Sequence, residues 1–166
     1  MTLAGIVLPP SQATRAIIIM AASLLVLAAV WILQGLGYQP CELCLTQRYA
    51  FYAAAPIAAV TAFIASRGVQ GLARALFALL AAVFVVNAAL AAYHVGVEYG
   101  WWTGPTACTG GLTGSIDVND LVKALNSAKV VRCDEVQLRI LGLSLAGWNV
   151  LASGALAAYA ALAARL

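Results

Sequence analysis

Four long apolar runs constrain this chain more than any other feature: about Ala16 to Leu36, Leu45 to Ala65, Leu72 to Val97 and Ile140 to Ala164. Asp, Lys or Arg at mid-bilayer costs roughly 2.5 to 3.5 kcal/mol on the insertion scale. The runs hold only Arg48 and Arg74 of these types, each near an end. A helix of about 20 residues crosses the hydrocarbon core, so each run is long enough to span. They are rich in Ala and Leu without an alternation of period two, and a barrel strand needs only about ten residues, so helices are expected. The first run exceeds the roughly 7 to 15 residues of a signal-peptide core, and no small-residue cleavage site follows it. It reads as a retained helix.

Composition closes the alternatives. Only 9% of the residues are charged, against roughly a quarter in a soluble domain, too few to cover a water-exposed surface. The wealth of Leu, Val, Ile and Ala with a net charge of +3 excludes disorder. Basic residues are scattered singly, so no nucleic acid partner is expected. The expectation is an all-α, integral membrane four-helix bundle, with residues 1–166 forming one membrane domain. Its outer loops cover about 37–44 and 98–139.

Sidedness follows from counting Lys and Arg. One side carries Arg15, Arg67, Arg74 and Arg165, a charge of +4 with no acid; the other carries five basic and six acidic residues, a charge of −1. Both termini are therefore expected in the cytoplasm. Within the long outer segment, Asp117 can cap a short helix whose Val118, Leu121, Val122 and Leu125 share one face. That amphipathic helix suits either the membrane interface or the ends of the bundle.

All four cysteines, Cys41, Cys44, Cys108 and Cys133, fall on the outer side. Cysteine is at home in apolar interiors, so their exclusion from the spans points to disulfide chemistry in an oxidising compartment. Three pairings are open in principle. Pro40-Cys41-Glu42-Leu43-Cys44 opens the second span, with Pro suited to a first helical turn. A C-x-x-C of this kind is a redox dithiol or half a zinc site. Cys108 and Cys133 fit poorly as the second half, which favours redox. The other reading is a static bridge, but closing so small a loop stabilises little.

Arg48 lies four residues after Cys44, hence one turn deeper on the same face. A cation there, added to the positive helix end, favours a Cys44 thiolate able to pass electrons to an acceptor dissolved in lipid. The alternative is an Arg48 that snorkels to headgroups. His94, at similar depth, suits either a hydrogen bond to a quinone carbonyl or plain helix packing. Tyr93, Tyr99, Trp101 and Trp102 read as an interfacial aromatic belt. Gln34, Asn87 and Asn149 read as interhelical hydrogen-bond partners, and Pro56 as a kink.

Four spans, Tyr38-Gln39-Pro40-Cys41-x-x-Cys44 with Arg48 four further on, and the Cys108 and Cys133 pair together resemble the DsbB family, disulfide bond formation protein B. The resemblance covers nearly the whole chain. It implies a bacterial inner-membrane, multi-pass thiol:quinone oxidoreductase with its cysteines on the periplasmic side. It also implies ubiquinone or menaquinone as acceptor and a DsbA-like periplasmic thiol oxidase as partner. Cys41 and Cys44 would be the quinone-linked pair, with Arg48 supporting Cys44 and His94 corresponding loosely at the quinone site. Cys108 and Cys133 would be the pair that exchanges with DsbA. Two rivals stand beside this reading: a related oxidase serving a dedicated partner, and a non-enzymatic membrane protein whose loops are stapled by disulfides.

Overall fold

The computed structural model describes residues 11–105 and 132–166. Four helices dominate: α1 (Gln12–Gly35), α2 (Glu42–Ser66), α3 (Gln70–Glu98) and α4 (Leu145–Arg165), the last preceded by a hairpin of β1 (Arg139–Ile140) and β2 (Leu143–Ser144). All four are long and apolar enough to cross a membrane, and between 22% and 28% of each spanning window is buried inside the protein. Most of their apolar surface, including Leu25, Ile32, Phe63, Val86 and Leu162, points outward. That is the pattern of a bundle whose solvent is lipid. The molecule is a four-helix membrane bundle.

Lipid tails are as apolar as leucine, so burial alone does not drive such helices together; close packing must. Alanine supplies it. Ala16, Ala54, Ala58, Ala91 and Ala160 are completely buried, letting backbones approach around Ile19, Phe77, Leu80 and Phe84. The ring centroids of Phe51 and Phe84 are 5.7 Å apart across α2 and α3. Helix α3 packs most extensively on α4, and α1 on α2. Pro56 falls inside α2.

The ends carry their own signals. Ser11, Cys41 and Ser144 cap α1, α2 and α4, each side chain accepting a main-chain N–H of the first turn. Pro40 therefore stands before the cap, not in the first turn as expected. Helix α1 closes with the Gly37 N–H on the Gln34 carbonyl and the Tyr38 N–H on the Leu33 carbonyl, a pairing that needs the left-handed φ of +99° found at Gly37. The chain is thereby turned into Tyr38-Gln39-Pro40-Cys41.

The fourth span begins at Leu145 rather than near Ile140. Residues Arg139 to Ser144 instead pair as a tight hairpin, with Leu141 and Gly142 at positive φ, and the Trp148 indole N–H donates to the Ile140 carbonyl at 2.9 Å. Apolar content alone cannot separate such a hairpin from a first helical turn. The amphipathic helix expected from Asp117 lies outside the described residues, as does Cys108.

The belt aromatics fold over the end of α3. Trp102 stacks on Tyr93 at 5.8 Å, and its indole N–H donates to the Tyr93 carbonyl at 2.8 Å. Its ring descends onto Gly96, where a Cβ would lie 2.1 Å from the indole. Only glycine admits that contact.

Candidate active site

The site lies at the end of the bundle where α1 stops and α2 begins. Because Cys41 is the cap of α2, its sulfur accepts the Cys44 N–H at 3.3 Å and sits at the positive end of the helix. Three residues on, Cys44 returns to the same face. The two sulfurs are 2.9 Å apart and both are free thiols. A disulfide sulfur pair is about 2.05 Å apart, so oxidation requires a movement of less than about 1 Å.

His94 of α3 is buried and brings Nε2 to 3.6 Å from the Cys41 sulfur. Its Nδ1 is 3.0 Å from Gln47 Nε2. Gln47 Oε1 in turn accepts from the Asn149 amide of α4 at 2.6 Å. Asn149 Oδ1 accepts from Ser153 at 3.0 Å, and Ser153 accepts from Asn87 at 2.9 Å. A polar chain thus runs from the middle of α3 and α4 to the dithiol. With the Gln47 amide donating to Nδ1, the ring proton falls on Nε2, facing Cys41. Interhelical bonds of this kind stabilise membrane bundles by only about 0.6 kcal/mol each. The chain's larger effect is to fix how the imidazole points.

The hydrogen bond from the Cys44 thiol pushes the Cys41 thiol below the ordinary cysteine range; burial opposes it, and the His94 ring and the Cys44 N–H assist. Either thiol can donate to the other, and Cys41 has the additional donors. The Cys44 N–H and the His94 ring thus favour a thiolate at Cys41 in the reduced pair, beside the Cys44 thiolate expected from its spacing to Arg48. Reduced protein is expected to show thiolate ultraviolet absorbance at neutral pH, falling only in acid, and Cys41→Ser should remove it. Absorbance rising only near the ordinary thiol pKa of about 8.5 would contradict this geometry.

Arg48 and Cys44 line one cavity, as their helical spacing requires. The Arg48 guanidinium donates to Gln34 Oε1 of α1 at 2.8 Å and stands 5.8 Å from the Trp31 ring centroid. Trp31 is itself held by its indole N–H on the Tyr52 hydroxyl at 2.8 Å. An amide and an aromatic face together offset part of the cost of a cation at this depth. Gln34, Asn87 and Asn149 thus do hydrogen-bond between helices.

Cys133 is 1% exposed and packs with Cys41, Leu43 and Val97. It is disulfide-bonded. Its segment is held over the α1–α2 turn by Gln137, whose amide donates to the Gln39 carbonyl at 2.8 Å. Three cysteines therefore share one cluster, two as thiols and one in a bridge. Sequence reasoning passed over Gln47 and Glu98. Gln47 carried a signal, a polar residue one turn below a C-x-x-C in an apolar span. Glu98, counted only as an outer acid, accepts a hydrogen bond from the Ser144 cap of α4 and lines the cavity.

The cavity measures about 430 Å³ and opens among α1, α2, α4 and the segment from Arg132 to Ile140. Val26, Leu27, Val30 and Leu33 form its apolar wall; Cys44, Gln47, Arg48, His94, Glu98 and Asn149 are among its polar lining. A largely apolar pocket of 300 to 1,000 Å³ with a few convergent polar groups is of the usual kind for a small ligand.

Residues 11–163 match the family described as Disulfide bond formation protein DsbB. A relative from Saccharophagus degradans, Disulfide bond formation protein B, is 32% identical over 147 residues, covering 86% of this chain and 87% of its own. No solved structure matches.

Proposed function

The chain belongs to the DsbB family of disulfide bond formation membrane proteins, and from that premise we propose that it reoxidises a periplasmic DsbA-like dithiol and passes the electrons to a membrane quinone. The observation that carries this reading is the position of the dithiol: Cys44 lies on the wall of an apolar cavity, at the end of a membrane bundle, with Cys133 packed against Cys41 behind it. The cavity suits an apolar ring with polar carbonyl edges. Arg48 and His94 would bind there alongside Cys44. A quinone, ubiquinone or menaquinone, supplies the capacity to take up two electrons and two protons.

The steps balance within the four cysteines. A partner thiolate attacks Cys108 of a Cys108–Cys133 disulfide, forming a mixed disulfide and releasing Cys133. Cys133 attacks Cys41 of the Cys41–Cys44 disulfide and frees Cys44. The partner's second thiol displaces Cys108, leaving the partner oxidised, and Cys108 then reforms its bond to Cys133, expelling Cys41. Cys41 and Cys44 are left reduced; a quinone held by Arg48 and His94 would supply the acceptor for their electron pair, with any proton the pair lacks coming from water. DsbA is a strong oxidant near −120 mV, so only an acceptor above it can drive the cycle.

The charge difference of +4 against −1 supports cytoplasmic termini and periplasmic cysteines in a bacterial inner membrane. Membranes holding the protein, supplied with quinone and reduced DsbA, are expected to reoxidise DsbA catalytically. No acceleration over protein-free membranes would contradict the proposal. Reoxidation of a different periplasmic dithiol, with DsbA left untouched, would identify a dedicated partner instead.

A further inference from the structure

Cys41 Sγ, Cys44 Sγ and a ring nitrogen of His94 all lie within 4.8 Å of one another. Tetrahedral zinc takes sulfur at about 2.3 Å and imidazole nitrogen at about 2.0 to 2.1 Å, which separates sulfur from nitrogen by about 3.5 Å and sulfur from sulfur by about 3.7 Å. The observed Cys41 sulfur to Nε2 distance of 3.6 Å already fits. The sulfurs, now 2.9 Å apart, need to part by less than about 1 Å, and the Cys44 sulfur, within 4.8 Å of the ring nitrogen, has to come to about 3.5 Å from it. Metal-ligating histidines have their second nitrogen held by a hydrogen bond, and Gln47 holds Nδ1. The Gln47 oxygen now accepts from the Asn149 amide, so with Nε2 as a ligand the Gln47 and Asn149 amides turn over together, and Gln47 then accepts from Nδ1–H. Cys44 and His94 line the cavity, leaving a fourth position for water.

We propose that the reduced dithiol and His94 form a site for a thiophilic divalent cation, zinc above all, that exists only while Cys41 and Cys44 are reduced. Two thiolates and an imidazole favour such an ion over hard cations. Binding one ion displaces whatever protons the two sulfurs still hold, leaving both as thiolates. A two-electron thiol oxidant converts the bound dithiolate to the Cys41–Cys44 disulfide, takes up the electron pair with two protons from water, and frees the ion. Metal and disulfide therefore exclude each other. This rests on ligand geometry alone and needs neither quinone nor partner.

The test uses the full chain in detergent carrying Cys108→Ser and Cys133→Ser, so that two thiols remain. Zinc is titrated against a chromophoric chelator, with cobalt as the spectroscopic stand-in. The expected result is one zinc per reduced chain, a thiolate-to-cobalt charge-transfer band, and affinity at least about 100-fold weaker after oxidation with diamide. His94→Gln should weaken binding more than tenfold. Should that variant misfold, Gln47→Leu should weaken it by about 10- to 100-fold, the usual effect of removing a ligand's support. Affinity unchanged by oxidation would overturn the site. So would folded His94→Gln or Gln47→Leu protein that binds as tightly as its parent.

Discussion

Cys44→Ser is expected to reduce reoxidation of the dithiol partner to the uncatalysed background. Without Cys44 no Cys41–Cys44 disulfide can form, and the two-electron store facing the cavity is lost. The variant should also accumulate a bridge between Cys41 and Cys133. These residues pack together, Cys133 is already in a disulfide, and Cys41 is the favoured thiolate. Attack by Cys41 on Cys133 exchanges one disulfide for another and needs no oxidant. With Cys44 absent, Cys108 is the thiol left to expel Cys41 from Cys133, and it cannot do so while it is held in the mixed disulfide with the partner. Mapping disulfides in the purified variant checks the second half of this prediction; retained turnover would remove Cys44 from the site.

Arg48→Ala should raise the apparent quinone KM by about 10- to 100-fold. A hydrogen bond to a charged group contributes roughly 1.5 to 3 kcal/mol, and each 1.4 kcal/mol is about tenfold in affinity. The guanidinium is already oriented by Gln34 and the Trp31 face, so little side-chain entropy remains to be lost when a carbonyl oxygen binds. The KM for the dithiol partner should not change, because the proposed exchange takes place at Cys108 and not at the cavity. A quinone KM equal to that of the unsubstituted protein would take Arg48 out of the site and leave it as an anchor between α1 and α2.

The bundle was legible because lipid imposes a coarse rule. Any charge in a span is costly, so breaks between helices show directly as Arg67, Glu98 or Arg139. Finer features depend on shape. The Arg139 to Ser144 hairpin is as apolar as the helix it precedes, and only its positive φ angles at Leu141 and Gly142 set it apart. In the site, the C-x-x-C and Arg48 one turn below could be read from spacing within one helix. Which sulfur holds the negative charge could not, because it depends on His94 from α3 and on the cap geometry of Cys41. Nor could the packing of Cys133 against Cys41, which depends on how Gln137 ties a distant segment to the α1–α2 turn. Asn87 and Asn149 were legible as polar residues needing partners, but the chain they build with Ser153, Gln47 and His94 crosses three helices.

The redox state of the four cysteines, trapped by acid and thiol labelling in membranes with and without quinone while reduced DsbA is supplied, tests the proposed relay most directly. With quinone present, Cys41 and Cys44 should be found cycling, oxidised in a large fraction of the chains. With quinone depleted, they should accumulate as thiols and DsbA should stay reduced. Cysteines whose pairing is the same under both conditions would contradict the relay and leave the disulfides as staples of a membrane bundle.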